Sequence, residues 1–387
     1  MKLIKHAEII TMEGEIIKGG VILFDDKIRY VGNEADYVMG ANIDEVYDAG
    51  GAYVIPGLID AHCHVGMFED SLGFEGDDGN EDSDPVTPQL RAVDAVNPFD
   101  RCFNDAVNAG ITTVVTGPGS ANPIGGQFAA LKTHGICVDD MIIKAPCAMK
   151  MALGENPKSV YNTKNQAPMT RMGTMALIRE TLYKAQEYMQ QMNEYNQNPD
   201  DFDKPDYDIK YEALIPVLKR EIPVKIHAHR ADDIMSGIRL SKEFNIDVTI
   251  EHCTDGDRIA EILEREKAKI MLGPTLSDRS KPELSSLSFK TYKNLSDRDI
   301  CVAIITDHPE TPIEYLPLCA AMAVKSGMDK TKALEGITIN AAKNCGISES
   351  VGSIKTGKDA DLVICKKLPW EFEYEAKTVF INGEKVK

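Results

Sequence analysis

The stretch VIPGLIDAHCHVG (residues 54–66) is an apolar run, broken by Pro56 and Gly57, that resumes and ends on two histidines one residue apart. Short apolar runs of this kind predict a strand, and in a strand alternate side chains share a face. His62 and His64 therefore point one way and Cys63 the other. Two imidazoles on one face of a strand end can share a metal ion, although an H-x-H pair read alone is equally the mark of two core or surface histidines. The chain has eight histidines, and the placement of the others decides between these readings.

PVKIHAHR supplies His227 and His229, TIEHCTDG supplies His252, and AIITDHPETP supplies Asp307 and His308. Each stands at the C-terminal end of a predicted strand. The interior alternates such runs, among them ITTVVTG (111–117), DMIIKAPCAMKM (140–151), DVTIEHC (247–253), AKIMLG (268–273) and ICVAIITDH (300–308), with longer amphipathic segments. Residues 171–196 carry apolar positions at helical spacing and predict a long helix. Strands alternating with helices imply parallel β/α units, and this many in one block favour a (β/α)₈ barrel over residues 53–349. In such a barrel the C-terminal strand ends converge, so the histidines and Asp307 meet although they are far apart in sequence.

The two ends read differently. KLIKHAEIIT and EIIKGGVILFDDKIRYVG at the start, and GKDADLVICK and TVFINGEKV at the finish, are β-rich runs interrupted by GG, DD and NG, as hairpins require. They predict a small β-sandwich domain assembled from residues 1–52 and 350–387. The net charge of −18 would repel nucleic acid or an anionic membrane. No apolar stretch approaches the ~20 residues that cross a bilayer. Nine scattered cysteines without a C-x-x-C pair, and a start without the apolar core of a signal peptide, predict free thiols in a reducing cytoplasm. The acidic run EGDDGNEDSD (75–84) reads as a solvated loop, QNPDDFDKPDYD after the long helix as another, and GPGSANPIGGQ (117–127), which lacks the P-loop lysine, as a substrate-shaping loop.

VIPGLIDAHCHVG resembles the first-strand motif of the amidohydrolase superfamily, and the later His, His and Asp strand ends fall in that superfamily's order. The resemblance covers nearly the whole chain, including the closing GSIKTGKDADLVI, and is nearest to the imidazolonepropionase-related branch, which includes metal-dependent Xaa-Pro and Xaa-Arg dipeptidases. It implies metal ligands at His62, His64, His227, His252 and Asp307, with Lys150 after the fourth strand as a carboxylated bridge and Glu155 as its competitor. It implies one or two divalent ions, zinc foremost, with catalytic roles for Asp307 and His252. These residue types suit Zn²⁺, which lowers the pKa of its water to ~7, and Asp307 could carry the proton to a leaving amine. The reaction implied is hydrolysis of an amide C–N bond in a small peptide-like or N-acyl amino acid substrate.

One position departs from the pattern. Cyclic-amide hydrolases and deaminases of the superfamily usually carry a glutamate three residues after the fifth-strand histidine; here that residue is Arg230, which cannot shuttle a proton at neutral pH. An imidazolonepropionase-like or deaminase activity remains the rival reading, and a non-enzymatic scaffold a further one. Tyr161 and Arg171, with Arg91 behind them, are candidates for binding a substrate carboxylate, alongside Arg230 and His229 near the site. His308 should turn away from the site, and His6 and His134 read as structural or surface groups. A homo-oligomer is compatible with such a barrel.

Overall fold

The computed structural model describes residues 1–14, 16–37, 42–70 and 73–387. The chain begins with five strands, β1 (Lys2–Ile10), β2 (Ile16–Phe24), β3 (Ile28–Asn33), β4 (Glu45–Asp48) and β5 (Tyr53–Pro56). Gly57 leads straight into the first of eight further strands: β6 (Leu58–Cys63), β7 (Ile111–Thr116), β8 (Ile124–Lys132), β9 (Ile142–Ala152), β10 (Val224–Ala228), β11 (Val248–His252), β12 (Lys269–Leu272) and β13 (Cys301–Ile304). The last three, β14 (Leu362–Cys365), β15 (Ala376–Ile381) and β16 (Glu384–Lys385), return to the first five.

Strands β6 to β13 form one sheet in sequence order. Its two edges are drawn together by backbone bonds from Asp307 N to His62 O (3.1 Å) and from His64 N to His308 O (2.9 Å), so the sheet is a nearly closed barrel. Strand β10 is buried along its whole length, as expected for a parallel strand covered on both faces. The third barrel strand, β8, departs from the expectation of purely parallel units. It runs antiparallel to both β7 and β9, and it occupies the end of the glycine-rich run that the sequence reads as loop. The count still places β9 fourth, β10 fifth, β11 sixth and β13 eighth.

The terminal strands form a single hydrogen-bonded sheet, β16-β15-β14-β5-β1-β2-β3, with β4 added against β1, where the sequence predicts a sandwich of two. Strand β5 pairs with both β1 and β14, so residues 53–56 belong to this sheet and the chain enters the barrel at Gly57. A buried charge cluster ties the two parts together: Lys132 at the end of β8 donates to Asp359 (2.7 Å) and Asp361 (2.5 Å), and Lys27 also reaches Asp359. These aspartates are those of the GKDADLVI run.

Among the helices, Arg171–Gln197 is the longest expected from periodicity. The Thr170 side chain caps it by accepting the Gly173 N–H, and its buried positions include Met175, Ile178, Leu182 and Ala185, one stripe at helical spacing.

Candidate metal centre

The first-strand histidines converge as the strand period requires. His62 is fully buried and His64 nearly so, with ring centroids 5.4 Å apart, and His62 stacks on Phe128 of β8. Asp307 completes the group: its Oδ1 is 3.4 Å from His62 Nε2 and 3.2 Å from His64 Nε2, and its Oδ2 is 4.0 Å from His252 Nδ1. His227, His229 and His252 form a second group beside it, their ring centroids 4.4 to 4.7 Å apart. Within each group one nitrogen or oxygen per residue lies within 4.8 Å of the others. Asp307 and His252 both have left-handed backbone, φ +54° and +68°. A non-glycine residue pays for that conformation, and such residues gather at functional sites.

The outer nitrogens of the rings are held by the protein. His64 Nδ1 donates to Gly117 O (2.6 Å) and His252 Nδ1 to Gly273 O (2.7 Å), while His227 Nδ1 meets Ser120 Oγ and His229 Nδ1 meets Thr254 Oγ1. His62 Nδ1 lies 2.8 Å from Glu251 Oε2, and Glu251 in turn faces Lys225 Nζ at 3.2 Å. A partner at Nδ1 selects the tautomer that leaves Nε2 free as a ligand. His227 Nε2 and His252 Nε2 are buried and have no hydrogen-bond partner. Orphaned polar atoms at such depth need a partner, and a cation fits them.

Electrostatics agree with the donor set. Burial pushes the pKa of His62 down, that of His229 down to about 4, and those of His227 and His252 well below the usual histidine value, so these rings are neutral, as ligands must be. Burial disfavours the Asp307 anion, but the closeness of His252, His62 and His64 outweighs it and holds the carboxyl well below the usual range. Lys150, on the fourth strand, is fully buried with Nζ 3.1 Å from His62 Nε2. Burial brings its pKa down to about 8, so a free amine is accessible near neutral pH.

Glu155 opens the helix Glu155–Thr163 and lines the cavity above the centre; its backbone N–H donates to Glu283. The cavity, about 620 Å³, reaches His64, His227, His229 and Asp307, and Ser120 and Ala121 of the glycine-rich run form part of its wall. Tyr161, Arg171 and Arg230 are not among the described residues that line it. The Tyr161 hydroxyl donates to Asn122 in the core; Arg171 is paired with Asp233 (2.9 Å), and Arg230 with Asp232 at the surface. Arg91 is similarly paired with Asp94. His308 turns outward from the ligand groups, with Nδ1 accepting the Ile313 N–H.

Four residues escape sequence reasoning. Asp60 is fully buried, accepts from Thr306 and the His62 N–H, and has its pKa pushed up to about 7 by burial. Glu251 and Lys225 are the buried support of His62. Glu283 lies in the turn Pro282–Leu284, next to His227 and His229. The visible signal for the first three is a charged residue inside a short, otherwise mostly apolar run that ends near a histidine.

The amidohydrolase family model matches residues 53–386. A solved amidohydrolase from Thermotoga maritima is 37% identical, with a TM-score of 0.95 and full coverage of both chains. Amidohydrolase tasK of Hapsidospora irregularis is 27% identical over 87% of this chain, and an adenine deaminase of Listeria monocytogenes is 23% identical over 99%. This chain spans 37% and 57% of those two proteins' lengths, respectively. A Xaa-Pro dipeptidase structure, 17% identical with a TM-score of 0.59 over 99% of each chain, shares the fold. The extent of the family match and the likeness to the Thermotoga maritima structure place this chain in the amidohydrolase family.

Proposed function

We propose that the protein is a metal-dependent hydrolase that cleaves the amide C–N bond of a small peptide-like or N-acyl amino acid substrate. The observation that carries this reading is Asp307, in contact with both first-strand histidines and facing His252 where it lines the cavity. His62, His64 and Asp307 would hold one ion and His227 and His252 a second, with Lys150 between them as a carbamate. Zinc is the proposed ion, because imidazole and carboxylate donors suit it. When bound, it supplies Lewis acidity and activates water for attack.

The protein's own groups do the remaining work. Asp307, held ionised beside His62 and His64, accepts the proton of the attacking water and delivers it to the departing amine. Gly117 and Gly273 carbonyls and Glu251 keep the rings aimed. Lys281 lines the cavity wall, held by Asn156 Oδ1 at 2.8 Å, and we assign it to the substrate carboxylate. No helix among the described residues is long and apolar enough to cross a membrane, and all nine cysteines are free; the latter suits a cytoplasmic setting.

Deamination is the second reading, favoured by the adenine deaminases among the relatives that match along 99% of this chain. Against it stands Arg230, which faces solvent with Asp232 where a fifth-strand carboxylate would be needed. The test is the zinc-loaded protein assayed against dipeptides, N-acyl amino acids and adenine, with Asp307→Asn as the blank. Turnover of the acyl compounds, lost by ~10²-fold or more in the blank, supports the proposal. Ammonia release from adenine with the acyl compounds inert would replace it by deamination.

A further inference from the structure

Glu283, in the turn Pro282–Leu284, stands beside His227 and His229. It is 3% exposed, and its two oxygens have different fates. Oε2 accepts the Glu155 N–H at 3.1 Å. Oε1 is buried with no hydrogen-bond partner and lies 3.8 Å from His227 Nε2 and 3.8 Å from His229 Nε2. Lys281, two residues before it, donates instead to Asn156.

A separation of 3.8 Å is too long for a charge-assisted hydrogen bond, which closes to about 2.7–2.9 Å. It is close to the spacing of two donors across one ion, since bonds of about 2.0–2.2 Å in tetrahedral array put their ends roughly 3.3–3.6 Å apart. We infer that Glu283 Oε1 is a ligand of the second ion, together with His227, His229 and His252. It would stand to that group as Asp307 stands to His62 and His64. The assignment rests on the metal-centre reading above. It also gives His229 a ligand role.

The backbone is built around this carboxylate. Gly154 has φ +82°, and a Cβ there would stand 3.0 Å from Glu283 Oε2, so a bare backbone lets the loop close onto the site. Burying an unpartnered carboxylate oxygen is expensive, and a cation shared with three neutral imidazoles removes that cost.

The test is a Co²⁺ titration of metal-free protein, followed by calorimetry and visible absorption, in wild type, Glu283→Gln and Glu283→Asp. Gln keeps an acceptor for the Glu155 N–H, and Asp keeps the charge but withdraws it by one methylene; near-ultraviolet circular dichroism checks both folds. The wild type should take two equivalents. Glu283→Gln should keep the first and bind the second at least ~10-fold more weakly, with a changed spectrum for that equivalent, and Glu283→Asp should weaken it less. Two equivalents in both variants, with wild-type affinity and spectrum, would overturn the assignment while leaving the two-ion reading intact. Fewer than two in the wild type would overturn that reading and the assignment with it.

Discussion

Glu251→Gln tests whether the buried support of His62 has the importance its geometry implies. Glu251 is fully buried, with His62 Nδ1 at 2.8 Å and Lys225 Nζ at 3.2 Å, and Lys225 is itself 2% exposed. At an effective dielectric of about 20, the Lys225–Glu251 attraction across that distance is about 5 kcal/mol. The substitution removes the charge but keeps the shape, leaving an ammonium whose other bond is to Ala61 O. Breaking one side of a buried pair costs about 3–5 kcal/mol; because the amide keeps a dipole beside Lys225 Nζ, the lower end of that range applies. The assay is urea unfolding of the metal-free protein, followed by circular dichroism and by the fluorescence of Trp370. Adding Lys225→Met should restore at least half of the loss, because it removes the stranded charge. The first ion should bind about 10–100-fold more weakly in Glu251→Gln, since the partner that orients His62 has lost its charge. A variant within about 0.5 kcal/mol of wild type, with unchanged metal affinity, would show that Glu251 does not support His62.

Two further outcomes follow from other parts of the structure. Lys281→Met should raise KM for carboxylate-bearing substrates by ~10-fold or more while leaving kcat nearly unchanged, the pattern of lost uniform binding; steady-state kinetics on acyl amino acids and their amides separates the two. Lys132→Met should destabilise the protein by about 3 kcal/mol, because it strands Asp361 and leaves Asp359 with Lys27 alone. Burial opposes ionisation of Asp359, but Lys132 and Lys27 overcome it and lower its pKa. Its stabilisation is therefore complete above the ordinary value near ~4 and is lost as pH falls through the lower folded value. The gap between wild type and Lys132→Met should accordingly narrow below about pH 4 in urea titrations.

What could be read from the sequence, and what could not, follows from the range of the signals. The H-x-H pair was legible because the strand period acts between neighbours, and it put His62 and His64 on one face. His227, His252 and Asp307 were legible because each closes an apolar run. Strand β8 was not, because Gly125 and Gly126 at its start look like loop and its partners are antiparallel in an otherwise parallel barrel. Pairing was hidden as well. Arg171 looks free until Asp233, sixty-two positions away, is folded against it, and Arg230 is turned outward by Asp232. Glu283 lies in a polar loop whose path no periodicity describes, so its approach to His227 and His229 appears only in three dimensions.

The most direct test of a two-ion centre bridged by Lys150 is the metal content of the protein, by elemental analysis after zinc loading, in wild type and in Lys150→Ala. A bridged two-ion centre gives about two ions per chain in wild type and one or fewer in Lys150→Ala, with short carboxylic acids restoring part of the activity by filling the vacated bridge. Wild-type protein without tightly bound ions, or a Lys150→Ala variant that keeps both, would contradict it.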